Sequence, residues 1–77
     1  MTREEITTRI IKIAEETTGA ELTADGDLKA DGLDSLFLVA VIVGMEAHFA
    51  VAFEDDDLQP DKLVTLQDLV ELAEKYL

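Results

Sequence analysis

Residues 35–45 read Ser35-Leu36-Phe37-Leu38-Val39-Ala40-Val41-Ile42-Val43-Gly44-Met45, and from Leu36 to Met45 no side chain is polar. Whether this run is a strand or a helix decides the fold. Val39, Val41, Ile42 and Val43 are β-branched, which suits a buried strand. The segment nevertheless continues without a turn signal past Glu46 and His48 to about Ala50. That length selects a helix. A helix apolar on every side belongs at the centre of a bundle or beneath something that covers it.

The flanking segments are helical too. From Arg3 to Thr18, Ile6, Ile10 and Ile13 recur at helical spacing among charged residues, and Gly19 stands where a left-handed cap is favoured. Between Ala20 and Asp34 the pattern dissolves into two glycines and four aspartates, with Leu22, Leu28 and Leu33 as apolar anchors. A loop this long in so small a chain is functional or disordered; the leucines predict that it packs over the core. Between Ala52 and Asp61 the acids Glu54, Asp55, Asp56 and Asp57 suit a helix start, which predicts a short helix ended or redirected by Pro60. Thr65, with Asp68 three residues on, predicts a capped last helix whose face carries Leu66, Leu69, Val70 and Ala73. The expected fold is all-α: a small four-helix bundle, three main helices plus one short one, with a long first loop, forming a single domain over residues 1–77.

Composition narrows the function. The chain has 77 residues, no cysteine and one histidine, so neither a disulfide nor a metal can staple the fold. Its apolar residues must build the core unaided. Eighteen acids against six Lys and Arg give a net charge of −12, which repels nucleic acid and anionic membranes and attracts a basic partner surface. Met1-Thr2-Arg3-Glu4-Glu5 does not open a signal peptide. The apolar run is about half the roughly 20 residues that a membrane span needs. The expectation is a soluble, cytoplasmic monomer.

One constellation stands apart: Asp31-Gly32-Leu33-Asp34-Ser35-Leu36, where the loop meets the apolar helix. A phosphate ester on the Ser35 hydroxyl would sit at the positive end of the helix dipole. Asp34 beside it costs Coulomb energy unless something cationic visits the spot. Equally, Asp34 or Ser35 serves simply as the N-cap. The residues alone leave both readings open.

Gly32-Leu33-Asp34-Ser35-Leu36, within an acidic, helical chain of this length, resembles the acyl carrier protein family. The likeness extends over the first helix, the long loop, Phe49, the acidic Glu54 to Asp57 and Thr65-Leu66. It implies that Ser35 carries 4′-phosphopantetheine through a phosphodiester, installed by a magnesium-dependent phosphopantetheinyl transferase, with Asp34 and Leu36 as recognition neighbours. It also implies a carrier, not an enzyme, which passes acyl thioesters among synthase, transferase and reductase partners. Ser35 would be an attachment point; no histidine stands near enough in sequence to activate it as a nucleophile.

This sequence departs from the family pattern in two places. Ala40 stands where a glutamate is frequent, leaving Glu46 as the only acid between Ser35 and Phe53, and the stretch from Glu54 to Leu66 is slightly longer than usual. The candidate recognition residues are therefore Asp31, Phe37, Leu38, Ala40, Val41 and Glu46, with Glu54, Asp55, Asp56 and Asp57 as an acidic docking run. Phe37, Leu38, Ala40 and Val41 form either an exposed apolar patch for specialised enzymes or the lining of an enlarged core or acyl pocket. The departures point to a specialised fatty-acid or polyketide-type pathway. The alternatives are an aminoacyl or peptidyl carrier of a nonribosomal pathway and a small helical interaction module in which Ser35 only caps a helix.

A calcium loop fails on its ligands. Beginning it at Asp27 puts Gly32 sixth, but Lys29 third and Leu38 twelfth, where a bidentate glutamate is required. Beginning at Asp25 puts Leu36 last. His48 alone makes no metal site, and no metal-binding residue is assigned.

Overall fold

The computed structural model describes all 77 residues, Met1–Leu77, and contains three α-helices. They are α1 (Arg3–Thr18), α2 (Ser35–Phe49) and α3 (Leu66–Tyr76). The apolar run is helical throughout, so length outweighs β-branching as predicted. α1 packs against both α2 and α3.

Each helix end has a chemical cause. At α1 the Thr2 hydroxyl accepts the Glu5 N–H at 3.2 Å, and Gly19 ends the helix in the left-handed region with its N–H on the Glu15 carbonyl. At α3 the Thr65 hydroxyl and the Asp68 carboxylate exchange hydrogen bonds with each other's backbone N–H, which completes the predicted capping box. α2 ends at Ala50, whose φ of 56° is unusual for a residue with a Cβ.

Nineteen apolar residues form the core, and no polar or charged residue is buried. Ile6, Ile10 and Ile13 enter it from α1; Val41, Ile42 and Met45 from α2; Leu66, Leu69 and Val70 from α3. The long loop contributes as well. Leu22, Leu28 and Leu33 are all buried, so it is a packed layer and not a tether. An isolated antiparallel bridge, Asp27 to Thr65, ties it to the entrance of α3 through Leu28 N–H to Val64 O and Leu66 N–H to Gly26 O.

The expected short fourth helix is two separate 3₁₀ turns, Asp55–Asp57 and Pro60–Lys62. Pro60 does not end the first turn; it opens the second, where its fixed φ is tolerated and its missing N–H is not needed. The first turn is fastened to the end of α3. The Tyr76 hydroxyl accepts the Glu54 N–H at 2.9 Å and donates to Asp57 Oδ2 at 2.5 Å, while Lys75 Nζ lies 2.7 Å from Asp57 Oδ1. Phe53 meets the Tyr76 ring edge-on beneath this clasp.

Candidate functional site

The loop reaches α2 through a tight turn. Gly32 N–H donates to the Lys29 carbonyl and Leu33 N–H to the Leu28 carbonyl, with Gly32 at a φ of +96° that excludes most other residues. Asp31 lies in this turn, where its Oδ2 accepts from both the N–H and the hydroxyl of Thr23. It braces the loop through this one oxygen, while Oδ1 has no hydrogen-bond partner in the protein.

Asp34 is the N-cap of α2. Its carboxylate accepts the Phe37 N–H at 3.0 Å and its carbonyl accepts the Leu38 N–H. Two cap-competent residues therefore stand side by side, and the aspartate takes the cap. Ser35 is left exposed with no hydrogen bond to its hydroxyl, and the Ser35 and Leu36 N–H groups, first in the helix, have no protein partner. The cap also places the Asp34 charge against the helix dipole, which offsets part of its repulsion of a second anion.

Beside this hydroxyl is a cavity of about 390 Å³ whose apolar wall is Leu28, Leu33, Leu38, Leu63 and Val64; Asp34 and Ser35 also line it. A larger, more open depression of about 800 Å³ runs along α1 from Arg3 to Ile11 and contains none of the predicted site residues.

The structure divides the predicted recognition residues. Leu38 (8% exposed) and Val41 (0%) belong to the core, and Leu38 also reaches the cavity wall. Neither of these two therefore belongs to an exposed patch. Phe37 is exposed and Ala40 half-buried. The outward apolar face instead carries Leu36 (75%), Val39 (58%) and Val43 (57%). Val39 and Val43 were not predicted. The available signal is their spacing: Val39 follows Leu36 by three residues and Val43 follows Val39 by four, which puts all three on one helix face.

Two predicted acids have internal work. The half-buried Glu46 carboxylate accepts the Phe53 N–H at 2.9 Å and anchors the chain after α2. Asp57 is held below the usual carboxylate range, first by its bond to Lys75 and then by that to Tyr76. Both are structural, whereas Glu54, Asp55 and Asp56 remain exposed. The loop aspartates do not gather into a cation site: no three His, Cys, Asp or Glu side chains converge anywhere in the chain. His48 is at the surface, 3.1 Å from Arg9 Nη1. No helix is long and apolar enough to cross a membrane.

A free serine hydroxyl at a helix start, braced by a packed loop and bordered by an apolar cavity, suits a tethering domain that holds a cofactor arm and its cargo. Comparison with known proteins makes this specific. The family model of the phosphopantetheine attachment site matches residues 8–73. The chain is 37% identical over 79 residues to the acyl carrier protein of Thermotoga maritima, covering 97% of this chain and 95% of that one. It is 33% identical over 81 residues to the acyl carrier protein of an Exiguobacterium species, with both chains covered in full. The crystal structure of an acyl carrier protein from Thermotoga maritima superposes with a TM-score of 0.81 at 25% identity, over 95% of this chain and 87% of that one.

The chain belongs to the acyl carrier protein family. It is a carrier and not an enzyme, and its cofactor is covalently attached 4′-phosphopantetheine. Its partners include a phosphopantetheinyl transferase and acyl-handling enzymes.

Proposed function

We propose that Ser35 is the attachment point, its Oγ forming the phosphodiester to 4′-phosphopantetheine, and that the cargo is an acyl chain of a specialised fatty-acid or polyketide-type pathway. The observation that carries this reading is the division of labour at the start of α2. Asp34 satisfies the helix, so Ser35 Oγ is free for a transferase to reach. The group fits these residues: the helix start that carries Oγ has two unpartnered N–H groups, the kind of donor that a phosphate ester takes. When bound, the arm supplies the thiol on which cargo is held as a thioester.

The five apolar side chains of the cavity wall support an acyl chain as cargo, because they offer it aliphatic surface to bury against. The specialised assignment rests on α2. Leu36, Phe37, Val39 and Val43 present an uncharged apolar face next to Ser35, with the half-buried Ala40 between them. A partner that recognises this face must bury apolar surface, because there are no charges on it to pair. The exposed acids Glu54, Asp55 and Asp56 supply a second, electrostatic contact.

Incubation with coenzyme A, magnesium and a broad-specificity phosphopantetheinyl transferase tests the attachment. Intact mass rises by one arm in the native chain and stays unchanged in Ser35→Ala. A gain of mass in Ser35→Ala would place the attachment elsewhere. Mass spectrometry of the native thioester then reads the cargo, and an aminoacyl group there would overturn the acyl assignment.

A further inference from the structure

We propose that Lys29 is a positioning residue for the phosphodiester of the prosthetic arm, its ammonium supplying the counter-charge at the attachment end. The proposal rests on the assignment of Ser35 as the attachment point.

The chain has six Lys and Arg side chains, and five are engaged elsewhere. Arg3 donates to Gln67 and Glu74, Arg9 meets His48, and Lys12 pairs with Glu16. Lys62 donates to the Asp56 carbonyl and Lys75 to Asp57. The Lys29 ammonium alone has neither an ion pair nor a hydrogen bond, although it stands in a loop that holds four aspartates. It is also the only cation among the residues that line the cavity beside Ser35, where Asp27, Asp34 and Asp61 are the anions.

The placement is built and not incidental. Lys29 N–H donates to Asp27 Oδ1 at 2.9 Å, and its carbonyl accepts the Gly32 N–H at 3.1 Å. Leu28 and Leu33, on either side of the turn, are seated in the core. The backbone of Lys29 is thereby fixed, while its four-carbon stem remains free to swing. The nearby carboxylates already have tasks: Asp27 in holding this turn, Asp31 in bracing Thr23, Asp34 in capping α2. A phosphodiester on Ser35 adds a negative charge to a neighbourhood that holds three. Of the groups around the cavity, only the α2 N–H groups and Lys29 oppose it. A lysine suits this role as a mobile point charge that follows the ester without demanding one geometry.

The test compares apo and holo forms of the native chain, Lys29→Glu, Lys29→Gln and Lys29→Arg, with intact mass confirming modification of each. Thermal midpoints are read for both forms, so any purely structural effect of the substitution cancels in the holo-minus-apo difference. Modification should lower the midpoint of Lys29→Glu by about 1–5 °C more than that of the native chain, as expected for one exposed charge pair in a domain of this size. Lys29→Gln should fall between them and Lys29→Arg should match the native chain. The excess should vanish near 1 M salt, where the screening length is about 3 Å. The ³¹P resonance of the holo form should shift in Lys29→Glu and stay in place in Lys29→Arg. If the chain gains no mass at Ser35, the attachment assignment falls and this role with it. If it gains mass but the apo-to-holo difference and the ³¹P shift are the same in the native chain and Lys29→Glu, the role of Lys29 alone is overturned.

Discussion

α2 and α3 each bury five residues, yet their outer faces have nothing in common. α3 turns Glu71, Glu74 and Lys75 to water, while α2 turns out Leu36, Val39 and Val43. The core thus needs no more from α2 than from α3. The surplus apolarity of α2 is on the surface, where folding does not require it, and it begins at the proposed attachment residue. Exposed apolar surface grouped in this way marks interaction and not stability. The inward and outward faces of one helix answer to two different demands.

The sharpest way to break this comparison is to cut each face and measure unfolding. Truncating the fully buried Met45 or Leu69 to alanine removes core contacts on α2 or α3 respectively. Either should cost about 2–5 kcal/mol in denaturant unfolding. A chain of this length has a total stability of roughly 4–12 kcal/mol, so either variant should be partly unfolded at modest denaturant. An equal loss from Val43→Gln would show that the outer face is structural after all.

Gly44→Ala probes the boundary between the two faces. A Cβ there would lie 2.7 Å from Ile13 Cγ2 and 3.3 Å from Thr17 Cγ2, where α2 meets α1. In an open helix the change would gain about 1 kcal/mol of propensity. Overpacking costs typically 1–3 kcal/mol, so a net loss of about 1 kcal/mol is expected by urea titration. A gain in stability would mean that α1 can yield at this crossing.

On the outer face the expectation reverses. Val39→Gln and Val43→Gln should each change stability by about 0.5 kcal/mol or less. Each should nevertheless lower kcat/KM of a cognate acyl-handling enzyme by roughly tenfold, the loss of about 1.5 kcal/mol of apolar burial at the contact. The loss should depend little on salt. Neutralising Glu54, Asp55 and Asp56 should instead give a defect that fades as salt rises. If both sets of variants respond to salt alike, the division between apolar and charged contacts is wrong.

Much of this was legible in the sequence because it rests on period and spacing. The isoleucines of α1, the Thr65–Asp68 box, Gly19 and the three loop leucines each carry a local signal that the structure repeats. The start of α2 could be located but not resolved. Asp34 and Ser35 are both good caps, and only three-dimensional geometry shows which one bonds the Phe37 N–H. The outer face of α2 was hidden for a different reason: an uninterrupted apolar run has no polar side from which to read its phase, so Leu38 and Val41 were grouped with Phe37. The Asp27–Thr65 bridge and the Tyr76–Asp57–Lys75 clasp join residues remote in sequence, and no periodicity announces them.

That clasp gives the smallest expected effect and a contrast between the two acids that face α3 and its entrance. Asp57 is held below its ordinary 3.8 chiefly by Lys75, and Tyr76 and Lys75 are each raised above their ordinary values chiefly by Asp57. For Asp57 the stabilisation is present above pH 3.8 and lost as pH falls through its lowered native value. For Tyr76 and Lys75 it is full below about pH 10 and lost as pH rises through their raised native values. Thermal midpoints should therefore hold level between these limits as far as the clasp is concerned. Asp57→Asn should weaken both edges, whereas Tyr76→Phe should remove its hydroxyl's share and leave the Lys75 pair in place. Asp68 is the control: burial pushes its carboxyl up, but the Thr65 and Val64 N–H groups outweigh that and hold it low. Its contribution is therefore lost only on the acid side. Asp68→Asn should flatten the acid limb alone, and an alkaline change in that variant would mean that the clasp and the capping box are one coupled unit. The clasp holds Asp57, and the same segment continues to Leu63 and Val64 in the cavity wall. Hydrogen exchange across residues 55–64 should thus quicken in Asp57→Asn and stay unchanged in Asp68→Asn beyond the amides that Asp68 itself caps.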